Sequence, residues 1–270
     1  MRIALTIAGS DSGGGAGIQA DLKTFQAFGV FGMTAITAVT AQNTLGVSAV
    51  HVIPADIVRA QIVAVATDLR PAACKTGMLA TAELVVAVAE TLLEQRLANV
   101  VVDPVMVATS GERLLDAAAE RTIVERLLPA CVLVTPNLEE AAILTGLAIS
   151  SPSDMVAAGR RLIAMGAPAA LVKGGHLEGD EVVDILVEGD RARSWPRPRQ
   201  PTRHTHGTGC TLSAAITAGL ALGQPLDRAV ETALEFVARA IATSPGLGRG
   251  NGPLNHFIEP PTPTSTSDSD

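Results

Sequence analysis

The chain has 270 residues, 47% hydrophobic and 2% aromatic, with 20 basic against 27 acidic residues and a formal charge of −7. That length supports a sizeable core, and the absence of a Lys/Arg run argues against nucleic acid, whose phosphates need clustered positive charge. Three cysteines, Cys74, Cys131 and Cys210, form no CxxC pair, which argues against a disulfide framework or structural zinc and for a reducing compartment.

The apolar run from Ile3 is too short for a secretory leader and leads into Gly9, Ser10 and Asp11 without a cleavage pattern. It reads instead as a buried strand, Ile3 to Ala8, before a glycine loop and a helix from Gly17 to Phe28. Val30 to Thr40 is a second strand and Val47 to Ile53 a third, ended by Pro54, which suits the first turn of a following helix. The charge-free stretch from Thr24 to Ala55 is interrupted by Gln26, Gln42, Asn43 and glycines, whereas a membrane span needs about 20 mostly apolar residues. The expectation is a cytoplasmic, soluble protein.

Ala73 to Thr76 is a short strand, and Leu84, Val88 and Leu92 then recur on one helical face. Val100 to Val102, Val132 to Thr135 and Ala169 to Val172 are strands that close on Asp103-Pro104, Pro136-Asn137 and Lys173-Gly174-Gly175. Joined through helices, they predict a mostly parallel sheet covered on both faces. Ligands on such sheets sit at the carboxyl ends of strands, where Asp103, Asn137 and Lys173 fall. Val182 to Val187 and Ala192 to Trp195 form an antiparallel pair turned at Gly189-Asp190, and the proline-broken stretch Arg191 to Arg203 reads as an exposed loop rather than a binding patch. Two helices follow, Gly209 to Leu222 and Leu226 to Thr243. There is no internal repeat and no second-domain boundary, so residues 1–259 form one domain. The Pro/Thr/Ser/Asp tail at 260–270 is expected to be disordered.

Two glycine-rich loops carry the chemistry. Gly9-Ser-Asp-Ser-Gly-Gly-Gly-Ala-Gly17 joins strand to helix, where it could cradle a phosphate or make a tight turn. It matches neither the P-loop nor the dinucleotide fingerprint. Asp21 lies one helical turn beyond Gly17, so its carboxylate could face the loop mouth. His204 to Thr211 precedes a second helix, whose first N–H groups could stabilise charge in phosphoryl transfer. A free thiol is only about 3% thiolate at neutral pH, and a helix N-terminus should lower the pKa of Cys210 and make it a proton acceptor. Asn137 and Glu140 could simply be a helix N-cap and its capping-box partner, or they could organise hydrated Mg²⁺. Lys173 could be a surface lysine or a cation for phosphate oxygens.

Taken together, these motifs resemble the hydroxymethylpyrimidine/phosphomethylpyrimidine kinase branch of the ribokinase superfamily. The residues that carry the likeness are Ala8-Gly-Ser-Asp-Ser-Gly-Gly-Gly-Ala-Gly-Ile-Gln-Ala-Asp21, Thr40-Ala-Gln-Asn-Thr44, Lys75-Thr-Gly-Met78, Asp103-Pro-Val105, Thr135-Pro-Asn-Leu-Glu-Glu140, Lys173-Gly-Gly-His176, Thr205-His-Gly-Thr-Gly-Cys-Thr211, Gly252-Pro253 and His256-Phe257. The resemblance implies a ribokinase-like α/β fold with little or no lid. It implies an ATP- and Mg²⁺-dependent kinase that phosphorylates an aminopyrimidine hydroxymethyl group and then its monophosphate, in thiamine biosynthesis. Gly207, Thr208 and Gly209 would form an anion hole, with Cys210 as base or relay in place of the superfamily's usual aspartate. Asp103, Asn137 and Lys173 would serve ATP, and Glu140 the metal, through water. Ala16, Asp21, Gln42, Met78 and Val105 would line the pyrimidine pocket. The Gln42 amide suits the ring on its own chemistry, since it offers a donor beside an acceptor. The expected partners are the small-molecule pyrimidine and a second copy of the chain, with neither nucleic acid nor membrane. A pyridoxal or pyridoxine kinase of the same superfamily is the alternative.

Overall fold

Alternation along the first strand, β1 (Ile3–Asp11), sets the architecture: Leu5 and Ile7 enter one apolar core while Ala4 enters another. A strand apolar on both faces must be covered on both. The computed structural model, described over residues 1–106, 115, 117–175, 177 and 179–261, supplies that cover. After β1 come α1 (Gly17–Ala27), β2 (Phe31–Asn43), β3 (Gly46–Val52), α2 (Ala55–Asp68), β4 (Ala73–Thr76), α3 (Ala82–Glu94) and β5 (Val100–Val102). The chain continues with α4 (Ala117–Thr122), β6 (Leu133–Val134), α5 (Leu138–Thr145), α6 (Pro152–Ala164), β7 (Ala169–Val172), β8 (Glu181–Glu188), β9 (Arg191–Pro198), α7 (Thr208–Ala221) and α8 (Leu226–Ala242). The tail expected to be disordered lies, from residue 262, outside the described residues.

The strands form one sheet in the order β3-β2-β1-β4-β5-β6-β7-β8-β9. Strands β2, β1, β4, β5, β6 and β7 are mutually parallel, and β3, β8 and β9 pair antiparallel at the two sides. Helices α2, α3 and α4 pack on one face, around Leu84, Val88 and Ile123, while α1, α7 and α8 cover the other. Helix α7 is buried along most of its length, with Ala214, Ala215 and Ala218 letting it lie close between sheet and α8. The chain runs outward in opposite directions from β1, so the order switches between β1 and β4. A doubly wound sheet opens its crevice at such a point.

Three strands match the expected ends, β4, β5 and β7. Two run further. Strand β2 extends to Asn43 because the turn to β3 pairs Asn43 with Gly46. Strand β9 extends to Pro198, so the first part of the stretch expected as a loop is an edge strand, where proline need not donate to a neighbour. Among the described residues no helix is long and apolar enough to cross a membrane.

Candidate active site

At the carboxyl ends of the central strands lies a cavity of about 710 Å³. The loop after β1 forms one wall. Asp11 caps it from within: Oδ1 accepts the Gly13 N–H at 2.7 Å, and Oδ2 accepts those of Gly15 and Ala16 at 3.0 and 2.9 Å. Burial opposes charge on Asp11, but His206 and these N–H groups hold its carboxyl below the usual range. The loop therefore spends its amides on its own aspartate, and the tight turn prevails over the phosphate cradle. Gly17, with φ +56°, starts α1 where a Cβ would strike the Gly9 carbonyl.

The facing wall is the start of α7. Gly207, at φ +84°, is its N-cap, and the first-turn N–H groups that follow precede any intrahelical acceptor, although that of Thr208 donates to the Thr205 carbonyl at 3.2 Å. The ammonium of Lys173 sits beside them, 3.2 Å from where a Gly209 Cβ would stand. Lys173 donates to Asp103 Oδ1 at 3.0 Å and lies 3.9 Å from Glu140 Oε2. Burial works against this charge, yet Asp103 and Glu140 hold Lys173 above the ordinary lysine range. Asp103 also accepts from Ser213 of α7 at 3.2 Å, which fixes the helix start over the strand end. Asn137 and Glu140 complete a reciprocal capping box, with N–H to oxygen distances of 2.9 and 2.7 Å. Burial pushes the Glu140 carboxyl up to about 7, against the pull of Lys173.

Ala16, Gln42, Met78, Val105, Asp103, Asn137, Glu140, Lys173, Gly207, Thr208, Gly209 and Cys210 all line this one cavity. Asp21 does not. Its position a turn beyond Gly17 rotates it toward the sheet, where it is fully buried, accepting from Thr6 at 2.6 Å and from Lys75 at 2.8 Å. Cys210 also departs from expectation. Burial pushes its thiol up to about 11, with Lys75 pulling down and Asp21 and Asp103 pushing further up. Desolvation of the thiolate thus outweighs the helix terminus. The sequence reading passed over Asp11, His206 and Lys75, although each stands inside a quoted motif.

Among the described residues no group of three His, Cys, Asp or Glu could hold a metal directly. The hard carboxylate oxygens of Asp103 and Glu140, flanking Lys173, fit a Mg²⁺ carried by phosphates and water rather than caged by protein.

A helix start beside a lysine–aspartate pair, at the carboxyl ends of a mostly parallel sheet, has the form of a ribokinase-like kinase. The chain belongs to the phosphomethylpyrimidine kinase family, which it matches over residues 11–255. It is 52% identical over 259 residues to the hydroxymethylpyrimidine/phosphomethylpyrimidine kinase of Rhizobium meliloti (strain 1021), covering 94% of this chain and 97% of that one. Among solved structures, phosphomethylpyrimidine kinase from Clostridium difficile 630 superimposes with a TM-score of 0.80 at 43% identity, covering 89% of this chain and 100% of that one. An ADP complex of Bacillus subtilis pyridoxal kinase gives 0.88 at 40% identity, covering 95% and 97%.

Proposed function

We propose that the chain transfers the γ-phosphoryl group of ATP to the hydroxymethyl group of 4-amino-5-hydroxymethyl-2-methylpyrimidine, and then a second one to the resulting monophosphate, supplying the diphosphate for thiamine biosynthesis. The observation that carries this reading is that one cavity brings the α7 start, Lys173 and Cys210 against Gln42, Met78 and Val105. Gln42 reads the aminopyrimidine edge, Met78 and Val105 pack on the ring, and the hydroxymethyl oxygen is turned toward Cys210. As that oxygen bonds to the γ-phosphorus, the bond to the ADP oxygen breaks. The Gly207–Gly209 amides and Lys173 hold the charge on the moving group.

The acceptor's proton goes to Cys210 as thiolate. At neutral pH that form is a minority, but the hydroxyl loses its proton late in a loose phosphoryl transfer. Asn137 and Glu140 would hold Mg²⁺ through water, and Asp103 keeps Lys173 aimed. Bound with nucleotide, Mg²⁺ neutralises phosphate charge.

The uncovered edge strand β3, with Val50 and Val52 exposed, supports a homodimer, and the free cysteines support a reducing, cytoplasmic setting. The likeness to pyridoxal kinases supports pyridoxine as a secondary substrate. ADP release from MgATP, measured in parallel with hydroxymethylpyrimidine, its monophosphate and pyridoxine, tests the assignment. Turnover of both pyrimidines above pyridoxine is expected, and turnover of pyridoxine alone would overturn it.

A further inference from the structure

Two loops from opposite ends of the chain meet at the mouth of the cavity. Oδ2 of Asp11, already the acceptor for two loop amides, lies 2.9 Å from Nε2 of His206, 195 residues away. The loops also touch through backbone, since a Cβ on Gly207 would collide with the carbonyl of Gly15, and one on Gly15 would stand 2.6 Å from the imidazole of His206. His206 is anchored in turn by its own N–H, which donates to the Gly252 carbonyl at 3.1 Å. The pair is buried: His206 is 7% exposed and Asp11 3%.

Hydrogen-bond accounting ties this pair to the ring-reading amide. Facing a carboxylate, Nε2 carries the hydrogen and spends it on Asp11. The Gln42 amide nitrogen, 3.5 Å from the same Nε2, therefore meets a donor and makes no hydrogen bond there. Gln42 Oε1 lies 3.2 Å from Thr40 Oγ1, whose single hydrogen also has the Ser10 carbonyl at 2.9 Å, and the Gln42 amide lines the cavity with its hydrogens available to a ligand. Gln42 is half-buried, and a ring nitrogen in that place would accept the hydrogen that His206 does not.

We propose that His206 is a positioning residue for the acceptor ring. Through Asp11 it clasps the glycine loop to the anion-hole loop, and by engaging Asp11 alone it leaves the Gln42 amide free to read the ring. This rests on the kinase reading above. The α7 amides and Lys173 are anchored independently, by the helix and by Asp103, so the nucleotide side should not depend on the clasp.

The test compares His206→Ala, His206→Gln and Asp11→Asn in the full chain, by steady-state kinetics with MgATP and hydroxymethylpyrimidine and by amide exchange of residues 13–16 in the unliganded protein. His206→Ala should raise KM for the pyrimidine roughly 10- to 100-fold, as ångström-scale misplacement does, with KM for ATP within about twofold. His206→Gln, whose amide can donate to Asp11, should recover most of the loss, and exchange at 13–16 should quicken in the Ala variant but not the Gln variant. Equal rises in both KM values, no rise in either, or a Gln variant as impaired as Ala would overturn the clasp. If His206→Ala does not fold, the comparison passes to the other two variants: Asp11→Asn impaired and His206→Gln not is the expected order, and the reverse contradicts it. A wild-type protein inert toward the pyrimidine would sink the functional reading, and the exchange measurement would still decide the clasp.

Discussion

Lys75 Nζ lies 2.8 Å from Asp21 Oδ1, with both side chains fully excluded from solvent. Strand β4 supplies the lysine and α1 the aspartate, and Thr6 of β1 closes on the second carboxylate oxygen at 2.6 Å. Burial opposes the charge on Lys75, but Asp21 keeps it above the ordinary lysine range. The pair is a hidden strut under the two glycine-rich loops.

Removing one partner leaves an uncompensated buried charge. Lys75→Met should cost about 3–5 kcal/mol, and adding Asp21→Leu should restore much of it. Urea unfolding of both single variants and the double variant measures this. Additive losses would contradict the pairing.

Gly207, proposed to open the anion hole, is constrained in two separable ways. At φ +84° any side chain is strained, as it would be at Gly146 with φ +72°, by about 1–2 kcal/mol. Only at Gly207 does a Cβ also meet a carbonyl, that of Gly15, while nothing lies within 4 Å of one at Gly146. Gly207→Ala should therefore lower kcat/KM on the order of 100-fold by displacing oxyanion donors, whereas Gly146→Ala should lower stability alone. Equal kinetic effects in the two variants would contradict this.

His256, buried with Nε2 2.9 Å from Thr211 Oγ1, gives the fold a pH dependence. Burial, with Lys23 adding, pushes its pKa down to about 4. The unfolded chain takes up that proton first, so this contribution is complete above about pH 6.5 and is lost as pH falls toward 4, by ~3 kcal/mol in all. Unfolding free energy from pH 7 to 4.5 should fall less steeply in His256→Gln than in the wild type. Identical slopes would remove His256 from the account.

Cys210 makes a sharper claim about acid. With its thiol near 11, alkylation at pH 7 should run on the order of 100-fold slower than for a free cysteine and climb about tenfold per pH unit beyond pH 9. Mass spectrometry distinguishes it from Cys74 and Cys131, which burial pushes to about 12. A rate that levels off by pH 8 would mean a pre-formed thiolate.

Much of this was legible in the sequence for a physical reason. Parallel strands buried on both faces are continuous runs such as Val100–Val102, and their ends carry Asp103, Asn137 and Lys173 into one crevice. What depended on distant partners was not legible. The spacing of Asp21 after Gly17 is correct, but only the fold places Lys75, 54 residues away, on its sheet side. The helix terminus at Cys210 is local and visible, whereas the burial that outweighs it is not. Asp11 and His206 each read as motif filler until the two loops met.

The central claim is that Cys210 acts in the transfer step, by taking the acceptor's proton, rather than on substrate affinity. Calorimetric titration of hydroxymethylpyrimidine into wild type and Cys210→Ala, beside kcat with saturating MgATP, tests it most directly. Turnover should fall at least about 100-fold while Kd stays within about threefold; Kd weakening in step with a modest loss of turnover would instead make Cys210 a wall of the pocket.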